Sequence, residues 1–122
     1  MIARIWTGTV QLADADVYAE YIRETGFAGY ARTTGNRGAW ILRRDEGGLT
    51  EFTVLSLWDS VGAIRAFTGD DIEAPVHYPE DERYLVGGES TVTHHEVADQ
   101  IEARPASVAA EPRARTGTTG SP

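Results

Sequence analysis

From Ile2 to Val10 the chain is rich in β-branched and aromatic side chains, and a run of this length reads as a strand. Gly8 either weakens that strand or marks a place where something approaches the backbone closely. The period then changes. Behind Asp14, Ala15, Tyr18 and Ile22 recur three or four residues apart, as do Val17 and Tyr21, predicting a helix with one apolar face that Gly26 and Gly29 end. Tyr30 to Arg37 is polar and holds Gly35-Asn36, which predicts a loop. Two strands follow, Gly38 to Arg44 and Leu49 to Trp58, joined through Asp45-Glu46-Gly47-Gly48 as a β-hairpin. A second helix is expected from about Ser60 to Phe67, stopping at Gly69. Pro75 and Pro79 leave broken helical turns between Ile72 and Leu85, and Glu89 to Val97 reads as the last strand.

The order strand, helix, strand, strand, helix, strand is satisfied with short connections by an α+β, ferredoxin-like βαββαβ fold: a four-stranded antiparallel sheet with both helices on one face. The expected domain is residues 1–97. Beyond it, 98–122 turns to Ala, Pro, Arg, Thr, Gly and Ser with almost no large apolar groups, which predicts a flexible tail. Its Asp99, Glu102 and Glu111 cancel Arg104, Arg113 and Arg115, leaving the whole net charge on the body. Trp6, Trp40, Phe52 and Val54 are read as apolar groups on the face the helices leave open. A second copy covering that face, sheet against sheet, makes a homodimeric barrel the expected assembly.

Composition narrows the partners. A net charge of −8 argues against a nucleic-acid backbone or an anionic membrane surface, since both are bound largely through Lys and Arg. No cysteine is present, so disulfides, thiolate nucleophiles and sulfur-ligated metals are excluded. The amino terminus runs straight into Ile2-Ala3-Arg4-Ile5-Trp6 without a basic stretch and long apolar run, and a cytoplasmic location is expected. A body of about a hundred residues buries only roughly 60 to 70% of its unfolded surface. With three Trp, five Tyr and three Phe, all before residue 85, an aromatic interior or cavity is expected, and pairing would add stability.

Few residues look like chemistry. Leu55-Ser56-Leu57-Trp58 runs into an Asp59-Ser60 helix cap, and His77 follows the helix between two prolines, the layout of a pocket wall with an imidazole at its rim. His77 would serve as base, proton shuttle or axial ligand of a heme, though an ordinary loop histidine looks the same. His94-His95 lies in a strand, so its imidazoles point to opposite faces and at most one faces the interior. With no cluster at ligand spacing, no metal held by side chains alone is expected. The acids of 69–73 and 79–83 read as solvated helix ends, and Gly47-Gly48 and Gly87-Gly88 as turns, not phosphate loops. Trp6, Tyr30, Trp40, Trp58, Phe67 and Tyr84 are core aromatics or ligand stackers.

Four segments together carry a resemblance. These are Met1-Ile2-Ala3-Arg4-Ile5-Trp6; Gly35-Asn36-Arg37-Gly38-Ala39 with Leu42-Arg43-Arg44; Leu57-Trp58-Asp59-Ser60 with Ala63-Ile64-Arg65-Ala66-Phe67; and His94-His95-Glu96-Val97. Over residues 1 to about 97 the chain resembles the antibiotic biosynthesis monooxygenase-like family of dimeric α+β barrels. The resemblance implies a homodimer whose pocket between sheet and helices takes a small hydrophobic, often aromatic molecule. It also implies one of two oxygen chemistries: oxidation of phenolic polyketides by O2 without a cofactor, or binding and degradation of heme. In the heme-degrading branch an axial histidine follows the strand-end tryptophan at an interval similar to that between Trp58 and His77. Phe67 stands where that branch has a ring-distorting tryptophan, and Thr7 or Gly8 where it has an asparagine. For the cofactor-free branch the resemblance makes His77 the base, with Arg65 or a tryptophan N–H near the anion, and Trp6, Trp58, Phe67, Tyr78 and Tyr84 around the substrate. The same pocket would also suit a cyclase or isomerase, or a non-catalytic dimer that binds an apolar ligand.

Overall fold

A computed structural model describes residues 1–104. It contains one antiparallel sheet with strand order β2-β3-β1-β4, built from β1 (Ile2–Gln11), β2 (Asn36–Glu46), β3 (Leu49–Trp58) and β4 (Leu85–Glu96). A short 3-10 turn, Leu12–Asp14, leads into α1 (Ala15–Ile22). α2 is Ala28–Arg32, α3 is Val61–Thr68 and α4 is Asp81–Tyr84. The α+β, ferredoxin-like arrangement is therefore as expected.

Register decides which side chains are covered. Val10, Gly8, Trp6, Arg4 and Ile2 pair with Thr50, Phe52, Val54, Ser56 and Trp58, so all of these share one face. On it the helices bury Val10, Phe52, Val54 and Trp58 against Tyr18, Ile22, Tyr30 and Ile64. Phe52, Val54 and Trp6, expected on the open face, thus belong to the helix-covered one, because the alternation puts them in phase with Val10 and Trp58. Trp40 does lie on the open face, opposite Leu55, and Leu42 follows opposite Thr53. Ile5, Leu55 and Leu57 complete the apolar part of that face.

The first helical region is longer than its glycines suggested. After α1 the backbone widens into a π-type turn over Arg23–Phe27 and continues as α2 to Arg32, where a loop was expected from Tyr30. Gly29 does not end the helix but lets it approach α3, since a Cβ there would fall 2.9 Å from Phe67 Cε1. Ser60 caps α3 through its hydroxyl, which accepts from the Ala63 amide at 3.1 Å. β4 begins at Leu85, four residues earlier than expected. Gly87 and Gly88, with φ of 74° and 69°, sit inside it, where the register against β1 shifts between Gly8 and Val10. Among the described residues no helix is long and apolar enough to cross a membrane. Residues 98–104 carry no regular structure, and the rest of the expected tail lies outside the described residues.

Candidate functional site

A cleft of about 420 Å³, counting its open mouth, lies between the covered face of the sheet and the helices. The sheet supplies Arg4, Trp6 and Val54; α1, the π-type turn and α2 supply Tyr18, Ile22, Thr25, Gly26, Phe27 and Tyr30. Phe67 of α3 closes one side, and the irregular segment before α4 contributes Val76, Tyr78 and Asp81. The Tyr30 and Phe67 rings are 4.7 Å apart between centroids, so two aromatic planes form a continuous wall.

Two charged groups enter this apolar setting. Arg4 is 1% exposed. Its Nη1 donates to the Ile72 carbonyl at 2.8 Å and lies 2.9 Å from His94 Nε2, while Nη2 reaches the Ala74 carbonyl at 3.5 Å. A guanidinium only donates, so His94 Nε2 accepts and the imidazole proton sits on Nδ1. Arg4 Nε and His94 Nδ1 are both buried without a hydrogen-bond partner. Burial, and then the Arg4 charge, hold the His94 pKa below its usual value. Asp81, buried at the opening of α4, accepts the Tyr18 hydroxyl at 2.8 Å and the Tyr78 amide at 2.7 Å. Burial, and then the bond to Asp81, push the Tyr18 phenol well above its usual range. The Tyr30 phenol is raised by burial, an effect opposed by the nearby Arg4 and Ser56. Tyr78 is also raised, chiefly by burial.

The structure divides the residues singled out from sequence. Trp6, Phe67 and Tyr78 line the cleft. Trp58 is fully buried behind it, edge-on to Tyr30 at 5.6 Å, and its indole N–H donates to Ser56 Oγ at 2.9 Å. Tyr84 packs on Tyr18 and Tyr21, with ring centroids 5.5 and 6.2 Å away, and does not line the cleft. Arg65 is exposed on α3. His77 is exposed too, its Nε2 3.2 Å from Ser90 Oγ, and neither side chain lines the cleft. His94 and His95 point to opposite faces, His94 inward to Arg4 and His95 outward beside Thr93.

Sequence reasoning missed Arg4 and Asp81. Arg4 left a signal, since it shares the alternation phase of Ile2, Trp6 and Val10 and so had to point inward. Asp81 left none, because nothing in Glu80-Asp81-Glu82 separates the one buried acid from its exposed neighbours. No histidine lines the cleft among the described residues, and the inward imidazole, His94, has its Nε2 turned to a guanidinium. His77 sits between Val76 and Tyr78 of the lining, with its own side chain exposed and its Nε2 3.2 Å from Ser90 Oγ.

No protein-family profile matches the chain, and no curated protein matches it either. Solved structures do. A candidate antibiotic biosynthesis monooxygenase from Deinococcus radiodurans is 13% identical, with a TM-score of 0.63 over 86% of this chain and 100% of that one. SnoaB, a cofactor-independent oxygenase from Streptomyces nogalater, is 14% identical, with a TM-score of 0.58 over 84% and 97%. MhuD, a heme-degrader from Mycobacterium tuberculosis with two hemes bound in its active site, is 17% identical, with a TM-score of 0.54 over 84% and 100%. This chain has the fold of those proteins.

Proposed function

We propose that this protein is a monooxygenase without a resident cofactor that oxidises a small hydrophobic aromatic molecule with O2. The observation that carries the reading is the aromatic-walled cleft of Trp6, Tyr30, Phe67 and Tyr78 between sheet and helices, with one carboxylate and one guanidinium in its lining. The likeness in fold to SnoaB supports the same chemistry. Asp81 takes a proton from the substrate on a carboxylate lone pair that the Tyr18 hydroxyl and the Tyr78 amide do not occupy, leaving an electron-rich substrate anion. That anion gives one electron to O2, the radical pair combines to a peroxide that takes the proton back from Asp81, and loss of water from the hydroperoxide leaves a carbonyl where a CH2 stood. The wall excludes water around the anion, and neutral Tyr30 and Tyr78 offer hydroxyls to its oxygen. His77 and Arg65, outside the cleft lining, have no step in this scheme.

The open face of the sheet, with Trp40 48% and Leu42 49% exposed, supports a homodimer formed sheet to sheet. Light scattering behind size exclusion at micromolar concentration should give twice the chain mass, and a single chain mass would remove the dimer from the reading.

Oxygen uptake with anthrone tests the activity. The expected product has gained one oxygen and lost two hydrogens, in air and not under argon. Uptake no faster than the uncatalysed rate across several anthrones and naphthols would end the oxygenase reading.

A further inference from the structure

The least explained group in the cleft is Arg4. A buried cation ordinarily faces a carboxylate, because an unpaired charge in a low dielectric is costly. Here every hydrogen bond of the guanidinium ends on a neutral acceptor, namely two loop carbonyls and an imidazole nitrogen, and Nε has no partner. No carboxylate lies within salt-bridge distance of it among the described residues. Glu73 is exposed and reaches only to 4.0 Å from His94 Nδ1. Asp81, the carboxyl group in the lining, accepts hydrogen bonds from the Tyr18 hydroxyl and the Tyr78 amide. The cleft therefore holds a carboxylate with hydrogen-bond partners and a cation that no carboxylate pairs directly, the exposed Glu73 acting on it only through space.

We propose that Arg4 receives a negatively charged group on the cleft's ligand, so that the site takes aromatic acids or phenolates in preference to their neutral counterparts. His94 and the Ile72 and Ala74 carbonyls orient the guanidinium. His94, neutral with its lone pair turned to Nη1, adds no second positive charge. The inference rests on the reading of the cleft as an aromatic-binding site and narrows what it binds.

The test uses N-phenyl-1-naphthylamine, a neutral dye that brightens in apolar sites, displaced by 2-naphthoate or by 2-naphthamide, which differ in charge and little in shape. Gly26→Leu, which fills the cleft from the π-type turn, should abolish dye binding and so locate it. In the unaltered protein 2-naphthoate is expected to displace the dye at a concentration roughly tenfold or more below that of 2-naphthamide. Arg4→Met should erase the difference and Arg4→Lys keep most of it. Equal displacement by the two naphthalenes in the unaltered protein would overturn the role of Arg4 while leaving the aromatic cleft standing. That comparison needs no variant, so misfolding of Arg4→Met cannot shelter the proposal. A preference that survives in folded Arg4→Met would overturn it as well. Dye binding untouched by Gly26→Leu would instead sink the cleft reading, and this inference with it.

Discussion

The two faces of the sheet invert the usual distribution of polarity. The covered face, where polar atoms are costly, holds Arg4, Ser56 and Thr50 almost fully buried. The uncovered face presents Trp40 and Leu42 about half exposed, beside Ile5, Leu55 and Leu57. A sheet built only to be stable would place them the other way round. Under the proposed function the difference separates two tasks: the inner face keeps Arg4 to receive a ligand, and the outer face keeps its apolar groups for a second copy.

The sharpest test of the cleft over the inner face is Asp81→Asn on α4, which under the proposed function slows anthrone oxidation by roughly 10² to 10⁴-fold in oxygen-electrode assays. A drop no larger than twofold would return that face to a purely structural role. Trp58→Ala, which empties a site sealed by Tyr30 and Phe67, should cost about 3 to 5 kcal/mol in urea denaturation. Its counterpart on the outer face, Trp40→Ala, should cost no more than about 0.5 kcal/mol in a monomer. A larger loss that grows with protein concentration would show that a second copy buries Trp40. Gly29→Ala, forced against Phe67, is expected to lose about 1 to 3 kcal/mol, whereas Gly26→Ala should gain roughly 0.5 kcal/mol. At Gly26 the new methyl meets only Tyr78, at 3.8 Å.

The smallest effect belongs to His94. Its pKa is lower in the folded chain than the usual value near 6.5, so the unfolded chain binds more protons between those two values. Stability therefore stays level above about pH 6.5 and falls as the pH drops toward the folded pKa. His94→Gln, which keeps an acceptor for Arg4 but cannot titrate, should flatten that slope in thermal unfolding measured from pH 5 to 7. An unchanged slope would mean that the inner face does not hold this imidazole neutral.

Local rules carried most of the fold. Alternation and the Gly47-Gly48 turn specified the hairpin of β2 and β3, and Ser60 announced α3 because its cap is a contact between neighbours in sequence. Glycine misled where its reason was tertiary. Gly26 and Gly29 read as a helix end, yet Gly29 is there because Phe67 leaves no room for a Cβ. Gly87 and Gly88 read as a turn outside β4, yet they lie within it at the register shift. At the site, Trp6, Phe67 and Tyr78 were legible as aromatics bordering predicted elements. Arg4 and Asp81 were not, because what distinguishes them from other charges is burial, which depends on residues 68 and 63 positions away: Ile72 in a loop for Arg4, and Tyr18 on α1 for Asp81. His77 drew notice for its prolines and spacing, but its side chain ends on Ser90.

Gly8 does not line the cleft, yet a Cβ there would stand 2.7 Å from the Trp6 indole and 2.8 Å from Leu85. The indole lies along the strand in the gap that the missing side chain leaves. Any larger residue at position 8 has to lift that ring, and the ring is part of the wall. Under the proposed function the bore of the cleft is thus adjustable from a position outside its lining, and a small library at residue 8 should change which ligand sizes enter while every lining side chain keeps its identity.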